Sequence, residues 1–130
     1  MKEHVTSLEL SRKLEKLGCK QESEFYWVCF NDDKSESIKV WDLRNNHIGF
    51  KLFYSAFLAS EIAESLPRGV EIETSKAYIH GSDISRWRCV LTYMNKKKIK
   101  MPMGFSETLV DALAEMKIYL LEHGLMEVGR

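Results

Sequence analysis

The second half of the chain contains two basic segments whose residue types bind phosphate groups. One is an Arg-Trp-Arg triplet, and the other is a cluster of four lysines a few residues later. Lysine and arginine neutralise phosphates, and an aromatic ring stacks on a nucleobase. If the two segments form a hairpin, the lysines lie at its tip and both arginines share one face. The pattern predicts a nucleic-acid contact at Arg86, Arg88, Lys96, Lys97, Lys98 and Lys100.

The same residues have a simpler interpretation. A hairpin tip is usually solvated, and lysines on an edge strand protect a sheet from pairing with another molecule. Both interpretations stay open at the level of the sequence. A helix-turn-helix is disfavoured, because β-like sequence follows each of the first two helical segments.

Aromatic residues are the second candidate for a binding role. The chain has three tryptophans, five tyrosines and six phenylalanines. Such side chains fill cores, and they also carry much of the binding energy of protein interfaces. Most of them must be core. The apolar residues of each element recur at a regular spacing, and Trp41 and Tyr119 do not lie at that spacing. We therefore expect these two side chains to face a protein partner or a second copy of the chain.

Patterns that would indicate catalysis, a cofactor or a metal are absent from the sequence. The seven glycines are scattered and form no phosphate-binding loop, and neither Cys-x-x-Cys nor His-Glu-x-x-His occurs. Cys29 and Cys89 lie in apolar strand-like runs, and Cys19 follows a helix at the end that disfavours a thiolate. Residues 80–83 (His-Gly-Ser-Asp) have the types of a hydrolase triad, but the same types make a turn. We therefore expect no catalytic residue, no cofactor and no metal, and the sequence favours a protein that is not an enzyme.

Length, charge and cysteine content limit the class of protein. A chain of 130 residues has the size of one domain, so a single domain over residues 1–130 is predicted. Nineteen basic residues balance nineteen acidic ones, so the protein has no net charge that would attract it to a polyanion or an acidic membrane. The charged N-terminus is unlike a signal peptide, and no run approaches the ~20 apolar residues of a membrane span. With three cysteines, an odd number, a cytosolic location without membrane contact is expected.

The first half of the chain predicts a helix followed by strands. Thr6 and Glu9 match the capping-box pattern, so the helix should begin at Thr6, and Gly18 should end it. The aromatic run over residues 25–30 predicts a central strand. The next elements are predicted to be a strand over 38–43, which pairs back on the first, a strand over 48–54 and a short helix over 56–66.

The second half predicts three more strands and a long helix. Strands are expected over residues 70–74, 86–93 and 99–103; the second should be central, and Pro102 makes the third an edge strand. The helix over residues 106–124 has Ser106 as its N-cap, and Phe105 and Val110 stand at staple positions. Gly124 should be the left-handed residue that ends it. The predicted class is α+β, a mostly antiparallel sheet with helices on one face, in the order helix, strands, short helix, strands, long C-terminal helix.

Three segments of the chain resemble small uncharacterised proteins of bacteria and their phages. They are the leucine-rich opening helix that ends at Gly18, the aromatic strand Phe25-Tyr26-Trp27 and the closing segment over residues 106–124. The resemblance covers about half of the chain and implies a bacterial or prophage origin. It implies no activity and no site residue. Two functions are therefore predicted: first, a non-enzymatic accessory protein acting through protein contacts; second, a weak nucleic-acid binder that uses the basic hairpin.

Overall fold

A computed structural model describes residues 4–30, 38–42, 50–67, 71–78, 85–94 and 97–127. It confirms the predicted α+β class and the predicted order of elements. The described strands form two antiparallel sheets of three strands each, ordered β2-β1-β3 and β4-β5-β6, where the sequence predicted one sheet. The elements are α1 (Leu8–Lys16), β1 (Phe25–Phe30), β2 (Ile38–Asp42), β3 (Phe50–Ala56), α2 (Ala59–Glu64), β4 (Glu71–Tyr78), β5 (Ser85–Met94), β6 (Lys97–Ser106) and α3 (Leu109–Glu122).

The first sheet has the aromatic strand β1 at its centre, as predicted. β1 pairs antiparallel with β2, with Trp27 opposite Val40, and with β3, where Tyr26 lies opposite Ser55. Val28 is fully buried. A strand with apolar residues at successive positions is suited to a place between two neighbours, because both of its faces can be buried.

Helix α1 begins one residue later than the capping-box pattern predicts. Ser7 is the N-cap, and its hydroxyl accepts the Leu10 N–H at 3.3 Å. Thr6 is fully buried instead: its Oγ1 accepts the Phe57 N–H at 3.0 Å, and its carbonyl accepts the Trp27 Nε1–H at 3.0 Å. The predicted cap at Thr6 is wrong because pairing with the segment after β3 holds this residue in an extended conformation.

Helix α2 is shorter than predicted. Ala56 belongs to β3, and the helix covers six residues. The Glu61 carboxylate accepts the N–H of Leu58 at 2.8 Å and the N–H of Glu24 at 3.1 Å. Glu61 thus satisfies a free donor at the start of α2 and ties the helix to the segment before β1. The next residue, Ile62, is fully buried in the core.

The second sheet packs on α3 through the inward residues of β5. Trp87, Cys89 and Leu91 alternate along β5 and contact the same core as the helices, and β5 is the central strand, as predicted. Gly104 in β6 lies against α3, because a Cβ atom there would stand 2.0 Å from the Ala112 carbonyl oxygen. A glycine is therefore required for this approach. β6 is the predicted edge strand, with irregular pairing beside Pro102.

Helix α3 starts later than predicted and ends as predicted. Thr108 is the N-cap, with its hydroxyl accepting the Asp111 N–H at 3.2 Å. Ser106 is not the cap, because it is still paired with Trp87 in the sheet. Gly124 has the positive φ of 64° that a left-handed cap needs. None of the helices in the described ranges has the length and apolar character that crossing a bilayer requires.

Candidate functional site

The face of the second sheet opposite α3 presents cations beside an aromatic ring. Because β5 alternates, Arg86 and Arg88 point away from the core that Trp87 and Cys89 join. Arg88 lies opposite Ser75 of β4 and opposite Phe105 of β6. We name Ser75, Arg86, Arg88 and Phe105 the outer face.

Phe105 is the most exposed large apolar side chain in the described part of the protein, with 45% of its surface accessible. Its position follows from Gly104, since neighbouring residues of a strand point to opposite faces and Gly104 faces α3. The Phe105 N–H donates to the Glu115 carboxylate of α3 at 2.8 Å. The ring is therefore exposed while its backbone is held by the helix on the far side of the sheet.

Arg86 lies diagonally across from Phe105, with its guanidinium carbon 5.4 Å from the ring centroid. That distance is within the range of a cation–π interaction. Arg86 Nε is buried and, among the described residues, has no hydrogen-bond partner. Arg88 is exposed.

The two arginines of the triplet and the tryptophan between them lie on opposite faces of the second sheet. Arg86 and Arg88 share one face, as predicted, but Trp87 lies on the other face, where it packs against the core and has the Lys76 ammonium 5.9 Å from its ring centroid. The expected staple role of Phe105 is wrong, because Phe105 is a strand residue exposed beside Arg86. Two facts would be needed to find Phe105 from the sequence: that the adjacent Gly104 faces α3, and that the antiparallel register places Phe105 opposite Arg88.

The four lysines are only partly within the described ranges. β5 and β6 form the predicted hairpin, with Lys97 opposite Met94 and Lys98 opposite Tyr93 near the turn. Lys100 also lies in β6. The side chains of these three lysines, and all of Lys96, fall outside what the structure describes.

The two aromatic candidates for a protein contact have different outcomes. Trp41 lies in β2 opposite Tyr26, and its side chain is outside the described set. The Tyr119 ring on α3 is partly buried and stacks on the His123 ring, with centroids 4.0 Å apart. His123 Nδ1 also lies 2.9 Å from the Tyr119 carbonyl oxygen. Tyr119 therefore offers a partner only part of its ring.

A shallow groove lies on the same end of α3. It has a volume of about 210 Å³ between α1 and α3 and is lined by Lys13, Lys16, Leu17, Ile118 and Glu122. Leu125, beyond the helix end, has 37% of its surface exposed. The groove is mainly apolar with charged side chains at its border.

Cys89 lies in the core, as the sequence predicts, and its thiol is a poor nucleophile. Cys19 and Cys89 are both buried, and neither forms a disulfide. Burial, together with the nearby Glu115 carboxylate, raises the pKa of the Cys89 thiol to about 11, so the thiol stays protonated at neutral pH. The Cys29 side chain and residues 80–83 lie outside the described ranges. Within those ranges, no three His, Cys, Asp or Glu side chains are grouped to hold a metal ion.

Comparison with known proteins finds no matching protein family, no matching curated protein and no matching solved structure.

Proposed function

We propose that this protein binds single-stranded nucleic acid through the outer face of its second sheet. The observation that carries the proposal is the position of the exposed Phe105 ring beside Arg86 and opposite Arg88. An exposed ring accepts a stacked base, and the guanidinium groups contact the phosphates on either side of it. The backbone positions of Lys97 and Lys98 extend this basic strip toward the hairpin tip.

Single strands fit this surface better than duplexes. A base can stack on a protein ring only when it is not stacked within a helix, so an unpaired strand can use the Phe105 ring in a way that an intact duplex cannot. The protein has no net charge at pH 7, so attraction to phosphate is local. We therefore expect weak binding that falls steeply as salt rises.

A fluorescence-anisotropy titration tests the proposal. Labelled single-stranded and double-stranded DNA and RNA of mixed sequence are titrated at about 50 mM and about 150 mM salt, where screening differs. We expect single strands to bind more tightly than duplexes, and Arg88→Ala and Phe105→Ala to weaken binding. Leu125→Ala is the matched control for loss of an exposed apolar side chain and should bind normally. Absence of binding at the lower salt would exclude the proposal.

A protein-binding accessory role is the second candidate, and it was the first prediction from the sequence. The apolar groove between α1 and α3 and the exposed Leu125 favour it, since apolar surface rimmed by charge is typical of protein contacts. Light scattering on the purified protein tests its simplest form, a homo-oligomer. We expect Leu125→Ser and Tyr119→Ala to lower the mass of such an oligomer, and a monomer at all concentrations would contradict that form.

A cytosolic location and a bacterial or prophage origin belong to the same proposal. Both are supported by the sequence, through the odd number of cysteines and the three resembling segments respectively. Neither affects the experiments above.

A further inference from the structure

Strand β4 forms an edge of the second sheet and is exposed along that edge. It has eight residues and pairs on one side with β5, and the side chains of Glu73, Thr74 and Lys76 are exposed. Strands are usually about five to six residues long, so β4 is long for an edge. An edge strand presents backbone N–H and C=O groups to which another chain can add.

The direction of the backbone groups on β4 follows from the pairing of β5 with its other neighbour. In an antiparallel sheet the N–H and C=O of one residue point to the same neighbouring strand, and successive residues alternate. The Phe105 N–H donates to a carboxylate of α3 and so points away from β5. Its pairing partner Arg88 therefore points to β4, where it lies opposite Ser75. Ser75 consequently bonds with β5, and Thr74 and Lys76 direct their backbone groups off the edge.

Side chains close two other edges of the sheets at comparable positions. On the edge of β6, the Glu115 carboxylate accepts the Phe105 N–H at 2.8 Å. On the edge of β3, the Gln21 side-chain oxygen accepts the Ser55 N–H at 2.8 Å. Within the described ranges, no such hydrogen bond reaches the outward groups of β4. The β4 edge is thus open where β6 and β3 are closed.

Two charged side chains beside the open edge limit which strand can pair with it. Lys76 lies opposite Trp87, and its ammonium is 5.9 Å from the Trp87 ring centroid, on the side of the sheet that faces α3. Glu73 lies opposite Val90 and points to the other side, because successive residues of a strand alternate. Residues directly opposite each other on paired strands share a face, and opposite charges there are favourable. A strand added to β4 therefore needs a basic residue opposite Glu73 and an acidic residue opposite Lys76.

A second copy of β4 does not meet this requirement. Two copies joined edge to edge by a two-fold axis keep corresponding faces of their sheets on the same side. Glu73 of one copy then lies opposite a residue of the other copy that points to the same side, such as Ser75, and never opposite Lys76. Charged residues on an edge hinder pairing in general. Here they disfavour the protein's own copies and admit a strand of matching charge.

We propose that the β4 edge binds an extended segment of a partner protein, which adds antiparallel to the second sheet and carries an acidic residue three positions before a basic one. The outward backbone groups of Thr74 and Lys76 bond with the segment, and the charges of Lys76 and Glu73 determine its sequence. In the antiparallel direction the acidic residue lies opposite Lys76 and the basic residue opposite Glu73. This surface does not use the Phe105 ring, so it is independent of the nucleic-acid binding proposed above.

Nuclear magnetic resonance titration with two matched peptides tests the proposal. The first peptide is Thr-Val-Glu-Thr-Val-Lys-Val-Thr, which has the length of β4, eight residues, and the control peptide exchanges its glutamate and lysine. The first peptide should shift the backbone amide signals of Thr74 and Lys76 and slow their hydrogen exchange, and it should bind about tenfold more tightly than the control peptide. Thr74→Pro removes an outward N–H without breaking the pairing with β5, and it should abolish binding.

A charge-exchanged variant keeps the proposal falsifiable if Thr74→Pro does not fold. Glu73→Lys combined with Lys76→Glu should prefer the control peptide, because both opposite-charge pairs are then restored. Phe105→Ala should bind the first peptide as the unmodified protein does, which separates this site from the outer face. The proposal is overturned if neither peptide shifts the Thr74 and Lys76 amides, if both peptides bind the unmodified protein equally, or if the charge-exchanged variant keeps the original preference.

Discussion

The Arg86 guanidinium lies 5.4 Å from the centre of the Phe105 ring, which joins a charge on β5 to an exposed aromatic side chain on β6. The two residues are brought together by strand pairing, with Phe105 opposite Arg88 and diagonal to Arg86. This arrangement combines the two interactions that single-stranded nucleic acid offers, phosphate attraction and base stacking. They can be separated by experiment.

Salt dependence separates the two roles. Arg88→Ala should reduce the slope of log affinity against log salt by about 0.7, the value for one phosphate contact on a single strand. Phe105→Ala should leave the slope unchanged and lower affinity roughly 5-fold to 150-fold, as expected for a lost stacking interaction of about 1–3 kcal/mol. Anisotropy titrations at several salt concentrations measure both quantities. Equal slope changes in the two variants would contradict the assignment.

Gly104→Ala tests the close contact between β6 and α3. The added methyl group would lie 2.0 Å from the Ala112 carbonyl oxygen, and backbone atoms cannot move aside as a flexible side chain can. We expect a loss of about 1–3 kcal/mol or more in the free energy of unfolding, measured by urea denaturation. Gly124→Ala is the control: its added atom meets nothing within 4 Å, so only the cost of its positive φ, about 1–2 kcal/mol, should appear. A stable Gly104→Ala protein would contradict this packing.

Thr6 is expected to stabilise the fold through its hydroxyl, because that group accepts the Phe57 N–H and lies 2.8 Å from Ser11 Oγ. Thr6→Val leaves the buried Phe57 donor without its partner and should cost about 1–3 kcal/mol of unfolding free energy. Thr6→Ser keeps the oxygen and loses one methyl group, at a cost of about 1 kcal/mol. If urea denaturation shows Thr6→Val to be more stable than Thr6→Ser, the hydrogen bonds of the Thr6 hydroxyl do not stabilise the fold.

The free energy of unfolding should depend on pH through Asp111. Its carboxylate accepts the Ser7 N–H at 2.9 Å and so joins the N-termini of α1 and α3. Burial raises the pKa of Asp111, although the hydrogen bonds with Ser7 and Thr108 act to lower it. The folded protein therefore holds this proton more tightly than the unfolded chain does, and the contribution of Asp111 to stability is lost as pH rises from about 4 through the raised pKa.

Asp111→Asn should remove that part of the pH dependence, because an amide oxygen still accepts the Ser7 N–H and does not ionise. Urea denaturation at several pH values above 4 measures the difference between the two proteins. The unmodified protein should lose stability relative to the variant as pH rises through this range. Glu22→Gln, at an exposed carboxylate, is the control and should keep the loss. Parallel curves for Asp111→Asn and the unmodified protein would contradict the prediction.

Features that depend on one residue and its near neighbours could be predicted from the sequence. Gly18 and Gly124 end their helices with positive φ, because no other residue adopts that conformation at so little cost. Alternation along β5 correctly placed Arg86 and Arg88 on one face, since the period of a strand is a local property. The α+β class and the order of elements follow from the same local signals.

The helix starts and the sites were decided by tertiary contacts. Thr6 and Ser106 are good capping residues, but strand pairing holds one against Phe57 and the other against Trp87, so Ser7 and Thr108 cap the helices instead. The Phe105 ring meets Arg86, and the Lys117 ammonium meets Ser65; in each case the partner belongs to another element of the fold. Local propensities determined which segments become helices and strands; only the packing of those segments decided which polar and aromatic groups meet, because that depends on register and on close approach between elements.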